Sequence, residues 1–182
     1  MIKLNAKELR TTEPTEKQIK LIKKRPLYII LDNVLDTYNV GSIFRLADAV
    51  AAEKIWICGE TLTPPNPRIK KASISTWRWV KWEFCKTAFD AITELRTQNS
   101  MTKIVAVEQD TRSVPFHNFK YELPLALVVG NETYGISPEV LDMCDAIVEL
   151  PMFGINKSLN VMVCLGIVLY EMVCQTYPQT RL

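Results

Sequence analysis

Much that would point to familiar chemistry is missing from this 182-residue chain. It has one histidine, His117, set between Phe116 and Asn118, and general-base chemistry does not rest on it. No His/Cys group has metal-ligand spacing, so no metal centre is expected. The five cysteines (Cys58, Cys85, Cys144, Cys164 and Cys174) are an odd number without close pairing. They read as small buried hydrophobes in a reducing cytoplasm, not as a disulfide framework. Neither G-x-G-x-x-G nor a phosphate-cradling P-loop occurs, which disfavours NAD and nucleoside triphosphates as ligands. The longest apolar run, Val161 to Tyr170, is closed by Glu171 and is too short to span a bilayer. The start, Met1-Ile2-Lys3-Leu4-Asn5, has no apolar stretch of signal-peptide length. The triplets Asn131-Glu132-Thr133 and Asn156-Lys157-Ser158 are therefore accidental as glycosylation acceptors.

What is present is ordinary globular material, 48% hydrophobic and 23% charged, in a length that suits one domain with a sizeable core. The net charge of +2 hides an asymmetry. Residues 1–25 carry eight Lys/Arg against three Glu, and residues 68–86 carry six against one. Two basic stretches on a near-neutral chain suit a polyanion-binding face, although any one of them alone reads as a solvated helix face.

Thr15 to Lys24 reads as a short basic helix stopped by Pro26. Leu27-Tyr28-Ile29-Ile30-Leu31 is an unbroken apolar run of strand length, buried on both faces. After the polar loop Asp32 to Tyr38 the period becomes helical from Asn39, with Ile43, Leu46, Ala47 and Val50 on one face. Further strands are expected at 54–58, 104–107, 125–129 and 146–150. An extended segment is expected at Trp77 to Phe84, and helices over Ala88 to Leu95 and from Ser137, where Ser is the N-cap and Pro138 fills the first turn. A last helix from Ser158 to Cys174 is apolar on nearly every side and is expected to be buried all round, against the sheet and a second subunit. Alternating strands and helices predict an α/β fold with a mostly parallel sheet, whose ligands sit beyond the carboxyl ends of the strands.

Three polar turns fall at such places, and each has a bland reading beside a functional one. In Asn39-Val40-Gly41-Ser42-Ile43-Phe44-Arg45, Asn39 either caps a helix or faces a ligand. Arg45 pairs with Asp48 or, if buried among apolar neighbours, needs an anion such as phosphate. In Val129-Gly130-Asn131-Glu132-Thr133-Tyr134-Gly135-Ile136, the glycines permit a tight turn and close ligand approach, or simply a strand-to-helix loop. In Leu150-Pro151-Met152 followed by Ser158-Leu159-Asn160-Val161, Ser158 is an N-cap or a site residue. Asn160 is an amide entering an apolar helix and needs a partner, from substrate, a cofactor loop or Glu132. Trp77-Arg78-Trp79-Val80-Lys81-Trp82 interleaves aromatics and bases, which suits stacking on unpaired bases or equally core packing on one strand face.

In this order the three turns resemble the motifs of the SpoU-type (TrmH-like) RNA ribose 2′-O-methyltransferases, a branch of the SPOUT superfamily. The resemblance covers about residues 27–174. It implies a SPOUT fold with a C-terminal trefoil knot over residues 27–182, preceded by a basic helical extension at 1–26. It also implies a homodimer with the first-motif and last helices at the interface, and S-adenosylmethionine bound by the knot loops. By the same resemblance Asn39, Arg45, Glu132, Ser158 and Asn160 form the catalytic surround. Val107, Glu108, Gly130, Leu150, Met152, Ser158 and Leu159 form the cofactor pocket. The implied substrate is structured RNA in the cytoplasm, tRNA ahead of rRNA, with no role for DNA or a membrane. The rivals are a non-catalytic RNA-binding paralogue, an RNA base methyltransferase, and an unrelated α/β enzyme acting on a small acidic metabolite. Two positions depart from the family pattern: Met162 replaces a small residue, and Lys70-Lys71-Ala72-Ser73-Ile74-Ser75 lacks a usual glycine.

Overall fold

The structure is a computed structural model in which residues 14–177 are described; Lys3, Lys7 and Arg10 of the basic N-terminal stretch lie outside them. The order is α1 (Glu16–Leu21), β1 (Arg25–Asp32), α2 (Thr37–Ala49), β2 (Ala52–Cys58), α3 (Pro67–Ser73), β3 (Trp82–Cys85), α4 (Ala88–Gln98), β4 (Lys103–Val107), β5 (Val114–Pro115), β6 (Leu125–Val129), α5 (Pro138–Asp142), β7 (Ala146–Glu149) and α6 (Val161–Thr176). The seven strands form one sheet in the order β3-β2-β1-β6-β4-β7-β5, and every pairing is parallel.

The two-residue period of the strands decides which helix packs where. Leu27, Ile29 and Leu31 of β1, with Leu125, Leu127 and Val129 of β6, face a core completed by Ile43 and Phe44 of α2 and by Leu165, Val168, Leu169 and Met172 of α6. Ile30, Ala126 and Val128 face the opposite side, where Ala91, Ile92 and Leu95 of α4 and Val140 and Leu141 of α5 cover them. Both faces of the sheet are covered, so its central strands read as continuous apolar runs. β6 inserts between β1 and β4, although β4 precedes it in the chain. Such a reversal of strand order is where α/β sheets commonly open a crevice at the carboxyl ends of their strands.

Several local expectations are corrected. α1 ends at Leu21, and Pro26 lies inside edge-free β1 rather than stopping a helix. The start of α1 is fixed by a capping box between Thr15 and Gln18. Trp77 to Phe84 is not one extended stretch: Thr76–Arg78 is a 3-10 turn and only Trp82–Cys85 is strand. Trp77 and Trp79 thus share no strand face, and both pack against the core, with Trp79 Nε1 donating to Asp48 Oδ1 at 2.7 Å. At the missing glycine, Ile74 and Ser75 both adopt positive φ, 48° and 66°, which strains side-chain-bearing residues. Ser137 stands at the N-cap of α5 but makes no side-chain cap bond; its hydroxyl donates instead to the buried carboxylate of Asp32, at 2.9 Å.

α6 starts at Val161, not Ser158, and Asn160 is its cap. It is buried on one face only, since Val163, Ile167 and Tyr170 are exposed in the single chain. Cys58 is buried, Cys85, Cys144 and Cys164 are partly buried, and Cys174 is exposed, which corrects its assignment to the interior; all five are free thiols. Burial pushes the Cys144 thiol up to about 12. No helix among the described residues is long and apolar enough to cross a membrane, and no metal-binding cluster occurs among them.

Candidate active site

The polar turn after β6 is a closed five-residue loop. Asn131 N donates to Gly135 O at 3.0 Å and Gly135 N to Asn131 O at 2.9 Å. The Asn131 side-chain oxygen accepts from Thr133 N and Tyr134 N at 2.8 and 3.0 Å, while its amide nitrogen donates to Asn33 O. Gly135 supplies the positive φ, 69°, that closes the loop. Gly130 is required for closeness: a Cβ there would lie 2.3 Å from Gly135 C and Ile136 N.

This loop presents Glu132 to the start of α2. Its carboxylate accepts from Leu35 N at 3.0 Å, Asp36 N at 3.1 Å and Asn39 Nδ2 at 2.9 Å. Asn39 Oδ1 then accepts from Asn160 Nδ2 at 3.0 Å, and Asn160 Oδ1 accepts from Met162 N and Val163 N at 3.0 and 3.3 Å. The polarity of this chain is fully determined. The helix N–H groups of α6 only donate and an ionised carboxylate only accepts, so each asparagine between them has one permitted orientation. One relay thereby ties all three sequence motifs together. The N-cap of α2 is Asp36, not Asn39, which is buried in the first turn. Asn160 is exposed rather than buried, and its partner is Asn39, with Glu132 one bond further on.

Partial burial raises the Glu132 pKa, but the hydrogen bonds from Asn39, Leu35 and Asp36 outweigh it and hold the carboxyl below its ordinary value. A carboxyl lowered in the folded state adds stability above its unfolded pKa, about 4.3, and loses it as pH falls through the lower folded value. Glu132→Gln is therefore expected to flatten the acid limb of thermal stability below about pH 4.3, read as melting temperature against pH. Asn39→Asp reverses one donor and sets two carboxylates together. It is expected to lower stability by about 1–3 kcal/mol, with the deficit shrinking at acid pH, as chemical denaturation at two pH values will show.

A cavity of about 470 Å³ opens at the carboxyl ends of β4, β6 and β7. All seven expected cofactor residues line it: Val107, Glu108, Gly130, Leu150, Met152, Ser158 and Leu159. Glu132 and Asn160 line it too, whereas Asn39 reaches it only through the relay. Arg45 does not line it and is exposed, so the condition of burial, under which it would need an anion, is not met in the single chain. Nor does Arg45 pair with Asp48, which accepts from Trp79. Ser158 is no cap; its hydroxyl donates to Asn156 within the loop. His117 does not line the cavity.

Sequence reading missed Gln109, whose side chain donates to Lys157 O at 2.7 Å and ties two cavity loops together. It also missed Asp36, for which Asp-Thr ahead of a helical apolar period was an available signal. The walls carry three carboxylates, Glu108, Glu132 and Glu149, and one ammonium, Lys157, an excess of negative charge that favours a cationic ligand. The volume lies within the usual range for small-ligand sites, roughly 300–1,000 Å³.

Fold and cavity define an α/β protein with a cavity of small-ligand size at the carboxyl edge of a parallel sheet. The SpoU rRNA methylase family matches residues 26–170, and the chain belongs to that family. The tRNA (guanosine(18)-2′-O)-methyltransferase of Aquifex aeolicus is 33% identical over 166 residues, covering 86% of this chain and 75% of that one. A putative TrmH family tRNA/rRNA methyltransferase, YacO, of Bacillus subtilis is 31% identical, over 85% of this chain and 61% of its own length. Among solved structures, the A. aeolicus TrmH/SpoU tRNA modifying enzyme superposes with a TM-score of 0.76 at 30% identity, covering 93% of this chain and 81% of that one. An AdoMet-bound rRNA methyltransferase from Sinorhizobium meliloti superposes with a TM-score of 0.76 at 26% identity, covering 93% of this chain and 61% of that one.

Proposed function

We propose that this chain is an S-adenosylmethionine-dependent methyltransferase that modifies a ribose 2′-OH in structured RNA, tRNA ahead of rRNA. The observation that carries the reading is the relay from Glu132 through Asn39 to Asn160, on the wall of a negatively charged cavity. A-form 2′-hydroxyls are what RNA offers and DNA lacks. Relatives named for tRNA methylation support tRNA as the pool.

Gly130, Leu150, Met152 and Leu159, with Val107, Glu108 and Ser158, would hold the cofactor, which supplies an electrophilic methyl group when bound. The chain's own task is then to place a weak nucleophile and stabilise charge developing on its oxygen. Glu132 is committed to three donors with a depressed pKa, so its part is to fix Asn39 and Asn160 rather than to take the proton. The Asn160 amide carries the polar edge of this relay to the cavity wall. Arg45 is assigned to a phosphate and to the incipient alkoxide; an arginine holds its own proton too tightly to act as base.

Arg45 lies six residues beyond Asn39, about 9 Å along α2 and on another face of the helix. Its place at a reacting centre therefore fits a homodimer in which α2 and α6 of two copies meet. The exposed Val163, Ile167 and Tyr170 of α6 supply the apolar surface for such contact. The same reading takes residues 27–182 as the methyltransferase domain with its C-terminal trefoil knot, residues 1–26 as a basic extension, and the cytoplasm as the compartment. The test is methyl transfer from radiolabelled S-adenosylmethionine into tRNA and, separately, rRNA, with digestion to nucleosides. Label in a 2′-O-methylnucleoside from tRNA is expected; no label in either, with no cofactor bound, would favour a non-catalytic RNA-binding protein.

A further inference from the structure

Two loops frame the mouth of the cavity, residues 131–135 and 151–157. Thr133 and Gly135 of the first loop line it, as do Met152 and Asn156 of the second. Tyr134 belongs to the first loop and Phe153 to the second; neither lines the cavity, and they are 87% and 96% exposed. The next most exposed of the large aromatics, Phe84 and Tyr170, reach only 52% and 50%. The two most exposed of these rings thus sit one on each loop of a single cavity rather than scattered over the surface. Single exposed apolar residues are unremarkable, but a pair placed this way calls for an occupant.

Both loops are anchored at their bases. The first is closed by the Asn131–Gly135 bonds, and Tyr134 N itself is held by the Asn131 side chain. The second is tied by Gln109 to Lys157 O and by Lys157 Nζ to Met152 O. A nucleotide whose 2′-OH reached Glu132 and Asn160 on the cavity wall would carry its base, joined to the same ribose, toward the loops that border that wall. A base that leaves its stack so that the ribose can enter the cavity loses stacking, and aromatic faces can replace what it gives up.

Resting on the methyltransferase reading above, we propose that Tyr134 and Phe153 stack on the unstacked base of the target nucleotide. They position the ribose and select an unpaired nucleotide over a paired one. Because every base has a π-face, the pair discriminates by accessibility more than by base identity. Ile155, fully exposed on the same lip, has no π-face and is a built-in control.

The experiment compares wild type with Tyr134→Ala, Tyr134→Phe, Phe153→Ala and Ile155→Ala on unmodified tRNA transcripts, together with cofactor affinity and solution mass. Tyr134→Ala and Phe153→Ala should each lower kcat/KM about tenfold or more, with cofactor affinity and mass unchanged. Tyr134→Phe and Ile155→Ala should stay near wild type. Equal kcat/KM in all variants would overturn the proposal. So would losses matched by dissociation of the dimer, which would assign the rings to a contact between copies. If wild type transfers no methyl group to ribose, the functional reading fails separately. Stacking is then read by quenching of 2-aminopurine in a single-stranded oligoribonucleotide, by wild type and not by the Tyr134→Ala/Phe153→Ala double variant; no quenching by wild type would overturn it.

Discussion

Arg45→Ala is expected to lower methyl transfer by about 10²–10³-fold while leaving cofactor affinity and thermal stability near wild type. The asymmetry follows from where the residue sits. Arg45 is exposed on α2, lines no part of the cavity, and has no hydrogen bond or ion pair within the described residues. Truncating it removes a cation that only RNA, or the charge growing on a ribose oxygen, would feel. Arg45→Lys should recover part of the rate, since an ammonium keeps the charge but loses the planar fork that matches phosphate. Mixed dimers of Arg45→Ala and Glu132→Ala chains should regain activity if the guanidinium serves the partner's cavity. A fall in cofactor affinity as large as the fall in rate would remove Arg45 from this role.

Gly130→Ala is expected to act through the opposite route, abolishing cofactor binding and lowering stability by about 1–3 kcal/mol or more. A methyl group there meets backbone, not a yielding side chain, at 2.3 Å from Gly135 C and Ile136 N. That backbone is pinned, because Gly135 is bridged to Asn131 and Ile136 N donates to Glu108 at 3.0 Å. Either the loop opens and carries Glu132 away from Asn39, or β6 shifts within the sheet. Calorimetric titration with S-adenosylmethionine and a denaturant melt would read both effects. Retained affinity in a stable variant would show that the tightness of this turn is incidental.

The parallel α/β plan was legible because strands buried on both faces, such as Leu27 to Leu31 and Leu125 to Val129, carry unbroken apolar runs. β5, two residues long, carries no pattern, and β3 sits in an aromatic and basic stretch whose alternation was cut short by the turn at Thr76–Arg78. The cavity residues were legible through their resemblance to family motifs rather than through periodicity. Their connections were not. That Asn39 takes its hydrogen bond from Asn160, 121 residues away, depends on how α2 and α6 meet on one face of the sheet, which no local pattern encodes. The same limit explains Arg45. Its apolar neighbours in sequence left burial open, and Ile43, Phe44 and Ala47 turn to the core while Arg45 turns to solvent. The uniformly apolar α6 signalled two partners, and the single chain provides one of them.

The most direct measurement is the fate of the transferred methyl group under alkali. Unmodified tRNA transcripts would be incubated with the protein and methyl-labelled S-adenosylmethionine, then hydrolysed with base. A ribose bearing a 2′-O-methyl group cannot form the cyclic phosphate that cleaves the chain, so the expected result is label in an alkali-resistant dinucleotide, lost in Arg45→Ala. Label released in mononucleotides would place the methyl group on a base and contradict the assignment of this site to ribose chemistry.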